Sequence, residues 1–420
     1  MKFRCLVLCV TACLVTVLCG CDESKRFEIN YSDGTPPGKP EILGWRAVNG
    51  GGVIHYRVPE DEDLLSIDAS YTNPQTGAEV WFSTSYYVDS ITVIGFPDSV
   101  ALTVQVYAVD RAGNRSASVP VDITPDKPAV QLISQSLQVK GGFGSFYVDW
   151  KNTLKQNVNV YLDYSYKLKG QPVTKRSIVS SVNEDVREFV RMEDIPETEP
   201  ITVNMRVEDR YGNSNVLAPA TVYLKHDEII PKDNWFLPKE LSDTLRVRMG
   251  FFGGYFKTGG RILIDGIYDG DGGRNDNFTK GGAYGGVKPV NFLVDLGEEW
   301  ELSRIVTHQF ADYKNELERG EYGYYKDKNI KRYKVYIYHA DTEEWEMIRD
   351  HTIQVPSLAT ERQYIVAGLA GDMTYFYPDE IEFTEPTRWF RYEMIGCFDG
   401  DIQTFNFALS EITLYGRRKR

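Results

Sequence analysis

Val104-Gln105-Val106-Tyr107-Ala108-Val109-Asp110-Arg111-Ala112-Gly113-Asn114-Arg115-Ser116 alternates like a strand and then runs into a turn. Nearly the same phrase returns later as Val203-Asn204-Met205-Arg206-Val207-Glu208-Asp209-Arg210-Tyr211-Gly212-Asn213-Ser214. The shared V-x-x-x-V-x-D-R-x-G-N marks two copies of one supersecondary unit. Its turn needs glycine at a positive φ, and its Asp and Asn side chains can bond the turn backbone. A repeat of roughly 100 residues is the length of one β-sandwich per copy.

The surroundings agree with that reading. Val53 to Pro59 and Leu65 to Thr72 alternate as strands, with an acidic turn, Pro59-Glu60-Asp61-Glu62-Asp63, between them. Phe146-Tyr147-Val148-Asp149-Trp150 places a tryptophan where a sandwich buries one. Thr35 to Pro40, TPPGKP, is a Pro/Gly linker. Pro125-Asp126-Lys127-Pro128 reads as the first domain boundary, and His226 to Pro238 as the second.

The chain has 420 residues, enough for two to four domains, and its hydrophobic fraction of 42% supports folded cores. Runs rich in Tyr, Val, Ile and Thr recur between Gly, Pro, Asn and Asp, and long 3.6-residue periods are few, so the chain reads as mostly β. A net charge of -13 argues against a nucleic-acid partner, which needs a basic face.

Beyond the repeat, Ile262 to Gly297 opens with an apolar run and the turn pair Asp265-Gly266. It continues through a Gly-rich loop bearing Asp269, Asp271, Asn275, Asp276 and Asn277, and closes on the alternating strand Val290 to Gly297. Oxygen side chains on such a loop suit a hard cation such as calcium. They are equally ordinary turn residues. Asp265-Gly266, Phe292 to Gly297, Ile305-Val306-Thr307, Tyr333 to Tyr338 with Trp345, Arg388 to Tyr392, and Leu409 to Gly416 follow one another in order. That order resembles the discoidin (coagulation factor type C) fold, a galactose-binding-like β-sandwich shared with family 32 carbohydrate-binding modules. The two repeats resemble fibronectin type III or immunoglobulin-like modules. The whole order resembles a three-part Bacteroidota surface lipoprotein family of formally unknown function, typically encoded near polysaccharide-uptake systems.

The expected architecture is therefore all-β: two immunoglobulin/fibronectin-III-like sandwiches and a C-terminal galactose-binding-like jelly-roll sandwich. The expected bounds are 1–20 for a signal peptide, 21–40 for a lipidated N-terminus and linker, and 41–126 and 127–228 for the two modules. Residues 240–417 would form the discoidin-like domain.

Lys2 and Arg4 precede an apolar run from Cys5 to Leu18, the pattern of an export signal too short for a membrane span. The run ends Val17-Leu18-Cys19-Gly20-Cys21 and resembles a bacterial lipobox, which makes Cys21 the lipidation site. Asp22-Glu23 resembles the acidic signal that sends such lipoproteins to the outer cell surface. Past Cys21 only Cys397 remains, so no internal disulfide or cysteine metal site is possible.

No H-E-x-x-H spacing and no G-x-S-x-G elbow appears, and Gly250 to Gly260 lacks the Lys-Ser/Thr of a phosphate loop. Carboxylate pairs are plentiful, but no barrel or helical toroid is present to hold one. The chain is expected not to be an enzyme. Two readings stay open. One is an outer-membrane surface lipoprotein that binds a polysaccharide or oligosaccharide through its C-terminal domain, beside the transporter and glycan-binding lipoproteins of one uptake system. The other is a structural or assembly component of such a complex without glycan affinity.

In the resembling fold a structural calcium ion is held by the Asp-Gly turn and by a Glu before the last strand, here Asp265 and Glu411. Asp269 and Asp271 lie in a longer loop than the family's, and its Thr-x-Trp is absent. Ligands in that fold bind at loops on one end, where sugars need an aromatic face and a few polar groups. One such loop carries His308, Gln309, Tyr313 and Asn315 and continues through Tyr322, Tyr324 and Tyr325; a second, Cys397 to Asn406, offers Phe398 and Asn406. The alternative is that the tyrosines pack a long loop onto the body. Asp89-Ser90-Ile91, Asp98-Ser99-Val100 and Asp243-Thr244-Leu245 resemble O-glycan acceptors of Bacteroidota.

Overall fold

A computed structural model describes residues 34–192, 194–235, 266, 268, 290–310, 323–401 and 408–419. Cys21 and Thr244 lie outside these. The chain divides into two compact units, Met1–Val139 with Val148–Glu188 and Ile201–Thr221, and Lys140–Tyr147 with Phe189–Pro200 and Val222–Arg420.

Seven strands open the first unit: β1 (Glu41–Val48), β2 (Gly51–Arg57), β3 (Leu64–Thr72), β4 (Glu79–Ser85), β5 (Ser90–Ile94), β6 (Leu102–Asp110) and β7 (Val119–Ile123). They form a three-stranded sheet, β1-β2-β5, and a four-stranded sheet, β4-β3-β6-β7, the division of a fibronectin-type sandwich. Alternation decides the inner face. Ile67, Ala69 and Tyr71 of β3 and Val104, Val106 and Ala108 of β6 are buried together with Ile54, Tyr56, Ile91 and Val93.

A helix, Ala129–Ser136, precedes β8 (Gln138–Gly142), β9 (Ser145–Lys151), β10 (Val158–Leu168), β11 (Gln171–Ser181), β12 (Asp185–Arg191), β13 (Ile201–Asp209), β14 (Ser214–Val216) and β15 (Ala220–Val222). Their sheets run β11-β10-β13-β14, with β15 on β13, and β12-β9-β8. Trp150 on β9 is buried, as its place in the sequence suggests.

The repeated turn works as its residues imply. Asp110 accepts the N–H groups of Ala112 and Asn114 at 2.9 and 2.8 Å and the Asn114 amide at 2.8 Å. Asp209 likewise accepts Tyr211 and Asn213 N–H at 2.8 and 3.0 Å and the Asn213 amide at 2.9 Å. Gly113 and Gly212 take φ of 85° and 78°. In the second copy the turn also reaches back to the first sandwich. Asn73 Nδ2 donates to Asn213 Oδ1 at 2.6 Å, and Asn213 Nδ2 donates to the Gly95 carbonyl at 2.8 Å. The Pro125–Pro128 stretch is held as well: Asp126 forms a parallel bridge to Asn49, and Asn49 Nδ2 donates to the Lys127 carbonyl.

The second unit is built on one antiparallel sheet system. Its strands are β16 (Glu228–Ile229), β17 (Val290–His308), β18 (Ile330–His339), β19 (Glu344–Thr352), β20 (Asp372–Tyr375), β21 (Thr387–Cys397), β22 (Gly400–Asp401) and β23 (Glu411–Arg418). The order is β16-β23-β17-β21-β18-β19, with β20 on β17 and β22 on β21. The sequence separates Phe292–Gly297 from Ile305–Thr307 by a turn. In the structure both belong to one strand, β17, which pairs β21 from Val290 to Asp295 and again at Trp300, and pairs β23 from Trp300 to His308. The bend falls at Gly297, φ 84°, where Asp295 accepts the glycine N–H and pairs bidentately with Arg388. A strand that changes partner at such a corner builds two layers from one segment.

Residues 228–235, inside the stretch read as a boundary, run along this sandwich. β16 pairs β23, and Ile230 and Trp235 enter the core beside Phe292, Val294, Trp300, Val335, Phe390 and Leu414. A second helix, Glu361–Ala370, starts with a Thr360/Gln363 capping box.

Candidate functional site

Described residues at the ends of two loops singled out in the sequence meet at one place on the C-terminal sandwich. The hub is Asn329, just before β18 and 4% exposed. Its Oδ1 accepts the Phe310 N–H at 2.8 Å, and its Nδ2 donates to the carbonyls of Phe310 and Gly323 at 2.9 and 2.8 Å. Its own carbonyl accepts the Phe398 N–H at 3.1 Å, and the neighbouring Lys328 carbonyl accepts the Ala408 N–H at 2.7 Å. The described residues flanking 311–322 and 402–407 are thereby gathered on one short segment. Tyr313, Tyr322 and Asn406, expected contacts within those loops, lie outside the described residues.

Around this hub sits an aromatic rim. Tyr325, half-buried with φ 59°, presents its ring 6.2 Å from Phe398 at 86° and 6.4 Å from Tyr364 at 66°. Edge-to-face pairs of this kind hold ring orientation. The buried Gln309 fixes the Tyr325 backbone by accepting its N–H. Lys331 Nζ lies 5.6 Å over the Phe398 ring, and Lys328 pairs with Asp399. That hydrogen bond raises the Lys328 pKa, and burial, then Asp372, raises that of Tyr325. The neighbouring Cys397 is pushed up to about 12 by burial and Asp399, which keeps it a protonated thiol at neutral pH.

Two expected contacts face inward instead. Tyr324 is fully buried, and a Cβ on Gly368 of the second helix would meet its ring at 2.1 Å. It anchors the rim and offers no face to a sugar. His308 is 6% exposed and stacks on Tyr268 with centroids 4.0 Å apart. Burial, then the Lys232 ammonium, lowers its pKa to about 4, so the ring is neutral and structural. Asn329, Tyr364 and Lys331 were not singled out in the sequence; an Asn before a strand and single residues on other elements carry no local signal.

Of the expected calcium ligands, Asp265, Asp269 and Asp271 lie outside the described residues. Glu411 is fully buried. Its Oε1 accepts the Gly266 N–H at 3.1 Å and is ion-paired to Lys232 Nζ, which also donates to Thr413 Oγ1 at 3.1 Å. Gly266 of the expected Asp-Gly pair thus touches Glu411. Among the described residues no group of three or more His, Cys, Asp or Glu could hold one.

Other surfaces are less suited to a ligand. Trp81 on the first sandwich is 40% exposed, but Arg115 already lies 4.1 Å over its ring and 3.6 Å from Asp68. A cleft of about 250 Å³ is walled by Gly50, Phe96, Pro128, Asp209 and Tyr211. It is smaller than the ~300–1,000 Å³ of ordinary ligand sites, and it is a seam of the joint made by the repeated turn. Ser99 is exposed and Ser90 half-buried.

Residues 37–125 match the family described as Domain of unknown function (DUF4959), residues 126–222 Domain of unknown function (DUF5126), and residues 268–416 the domain of unknown function DUF5000. The three matches follow one another along the chain. No curated protein matches. Among solved structures, a SusE-like protein is 19% identical over 69% of this chain and 99% of its own, with TM-score 0.34. Three fibronectin domains of chicken CNTN1 are 12% identical over 86% and 98%, with TM-score 0.24. A two-domain fibronectin type III segment of chicken tenascin is 12% identical over 45% and 99%, with TM-score 0.21. At these TM-scores none of them bears on function. Among the described residues no helix is long and apolar enough to cross a membrane.

Proposed function

We propose that this protein is an outer-membrane surface lipoprotein, anchored through Cys21, that binds a glycan at the end of its C-terminal sandwich as part of a polysaccharide-uptake system. The observation that carries the reading is the meeting at Asn329 of described residues from the ends of the two nominated loops, with Tyr325, Tyr364 and Phe398 beside polar Lys328, Lys331 and Asp399. Sugar C–H faces stack on such rings, and the flanking charges answer hydroxyls. An anchor at Cys21 supports placement at a membrane, where acyl chains supply the affinity.

The test is affinity electrophoresis of the full chain from Asp22 onward against plant and host polysaccharides. Retention is expected, with Tyr325→Ala and Phe398→Ala each reducing it by roughly fivefold, the value of one lost stacking contact of about 1 kcal/mol. A wild-type chain that no polysaccharide retards would transfer the reading to an assembly component, for which co-purification of the neighbouring membrane proteins is the measurement. Lipid labelling that persists in Cys21→Ala would remove the anchor.

A further inference from the structure

We infer that Asp372, held in place by His351, is the residue that sets specificity at the proposed glycan site: its carboxylate accepts a hydroxyl of the sugar that stacks at Tyr325 and turns away sugars bearing a carboxylate or sulfate there. The inference rests on the glycan reading above and gives it a substrate class, a neutral polysaccharide.

Two cross-strand pairs bring the groups together. Asp372 opens β20 opposite Thr307 of β17, and His351 of β19 stands opposite Tyr333 of β18. His351 Nε2 lies 2.7 Å from Asp372 Oδ2, which ties β19 to β20. Arg349 Nη2 is 3.5 Å from His351 Nδ1, and a guanidinium can only donate. The imidazole hydrogen is therefore on Nε2, given to Asp372. Gly371 makes the close approach of β20 possible. It caps the helix Glu361–Ala370 at φ 76°, and a Cβ there would meet Val306 Cγ1 at 2.7 Å and the His308 ring at 2.8 Å. The helix that carries Tyr364 of the rim thus ends by delivering Asp372. Two residues past Thr307, Gln309 holds the Tyr325 N–H.

The dyad is not sealed in the core. The His351 and Asp372 side chains are 15% and 20% exposed, and burial, then the charge of Asp372, raises the Tyr325 pKa. Among the described residues the carboxylate makes no hydrogen bond but the one to His351, so Oδ1 is an unspent acceptor. Gln309 Nε2, buried beside Tyr325, is an unspent donor. A sugar hydroxyl both donates and accepts, which suits an acceptor and a donor of this kind. A carboxylate or sulfate only accepts, and it meets a like charge at Asp372. Burial raises the pKa of Tyr333 and Tyr392, so both stay protonated and add no charge. The nearby cations are engaged elsewhere, Lys328 with Asp399 and Lys331 over the Phe398 ring. A site built to bind a hydroxyl rejects an analogue without one far more strongly than an apolar site does.

The experiment is affinity electrophoresis of the full chain from Asp22 onward in gels of neutral polymers (galactomannan, xyloglucan, arabinan) and of acidic ones (polygalacturonate, chondroitin sulfate). Retardation by a neutral polymer and by no acidic one is expected. Asp372→Ala should weaken the neutral retention roughly 10- to 100-fold, the value of one hydrogen bond to a charged group. Asp372→Asn keeps an acceptor but not the charge, so acidic polymers should now retard the chain. His351→Gln, which can still donate to Asp372, should be retained better than His351→Ala. A wild-type chain retained by acidic polymers as strongly as by neutral ones overturns the inference and leaves the glycan reading standing. So does Asp372→Ala retained like wild type while Tyr325→Ala is not. Retention by no polymer overturns both. Should Asp372→Ala fail to fold, judged by the midpoint of the C-terminal transition, the nearly isosteric Asp372→Asn and the wild-type comparison still decide.

Discussion

The repeated turn supplies its own control experiment. Asn114 and Asn213 hold equivalent places, and each donates its amide to the Asp of its turn. Only Asn213, 1% exposed, also bridges to Asn73 and Gly95 of the preceding sandwich. Asn114→Ala removes one hydrogen bond within the turn, a loss of about 1 kcal/mol. Asn213→Ala removes the same bond and strands two more groups, the Asn73 amide, whose residue is fully buried, and the Gly95 carbonyl. At roughly 1–3 kcal/mol for each stranded group, Asn213→Ala should cost about 2–6 kcal/mol more than Asn114→Ala. A chain of several domains does not unfold in two states, so a local readout is needed. Hydrogen exchange at the Phe96 amide, which donates to the Gly50 carbonyl, reports the joint. A further 2 kcal/mol corresponds to roughly a 30-fold loss of protection in Asn213→Ala beyond that in Asn114→Ala. Equal losses, or a loss confined to residues 209–214, would refute the view that this turn locks the joint.

Other outcomes follow from packing and charge. Trp235→Ala should destabilise the C-terminal sandwich by about 3–5 kcal/mol, read in its calorimetric transition, although the residue lies outside the 268–416 domain match. Gly368→Ala drives a Cβ to 2.1 Å from the Tyr324 ring and should cost about 1–3 kcal/mol in the same transition, with weaker glycan retention through the displaced Tyr325. His308 has its pKa lowered to about 4 by burial and Lys232, against about 6.5 unfolded. The unfolded chain therefore takes up this proton first, so the contribution is full above pH 6.5 and is lost as pH falls toward 4. Its upper bound is ~3 kcal/mol, and His308→Gln should flatten the stability of the C-terminal transition across that window.

Much of the fold was legible because it rests on local rules. Period-2 burial along β3 and β6, and the Asp-Arg-x-Gly-Asn turn with its positive-φ glycine, need only neighbours in sequence. The two loops at the candidate site were legible for the same reason, as aromatic and polar residues between strands. What held them together was not. Val290–His308 reads as two strands because Leu296-Gly297 looks like a chain reversal; Arg388 on Asp295, 93 residues away, belongs to the corner that keeps the strand continuous. Tyr324 and Tyr325 are adjacent and chemically alike, yet one is fully buried and the other half-buried, because a glycine on a distant helix opens space for the first. Asn213 and Asn329 make the point most sharply. Asparagine scores as a surface turn residue, and burying one is favourable only when every polar atom finds a partner. For Asn213 those partners are Asn73 and Gly95, and for Asn329 they are Phe310 and Gly323. A buried amide that joins two segments is specified by both together, so neither stretch of sequence alone can announce it.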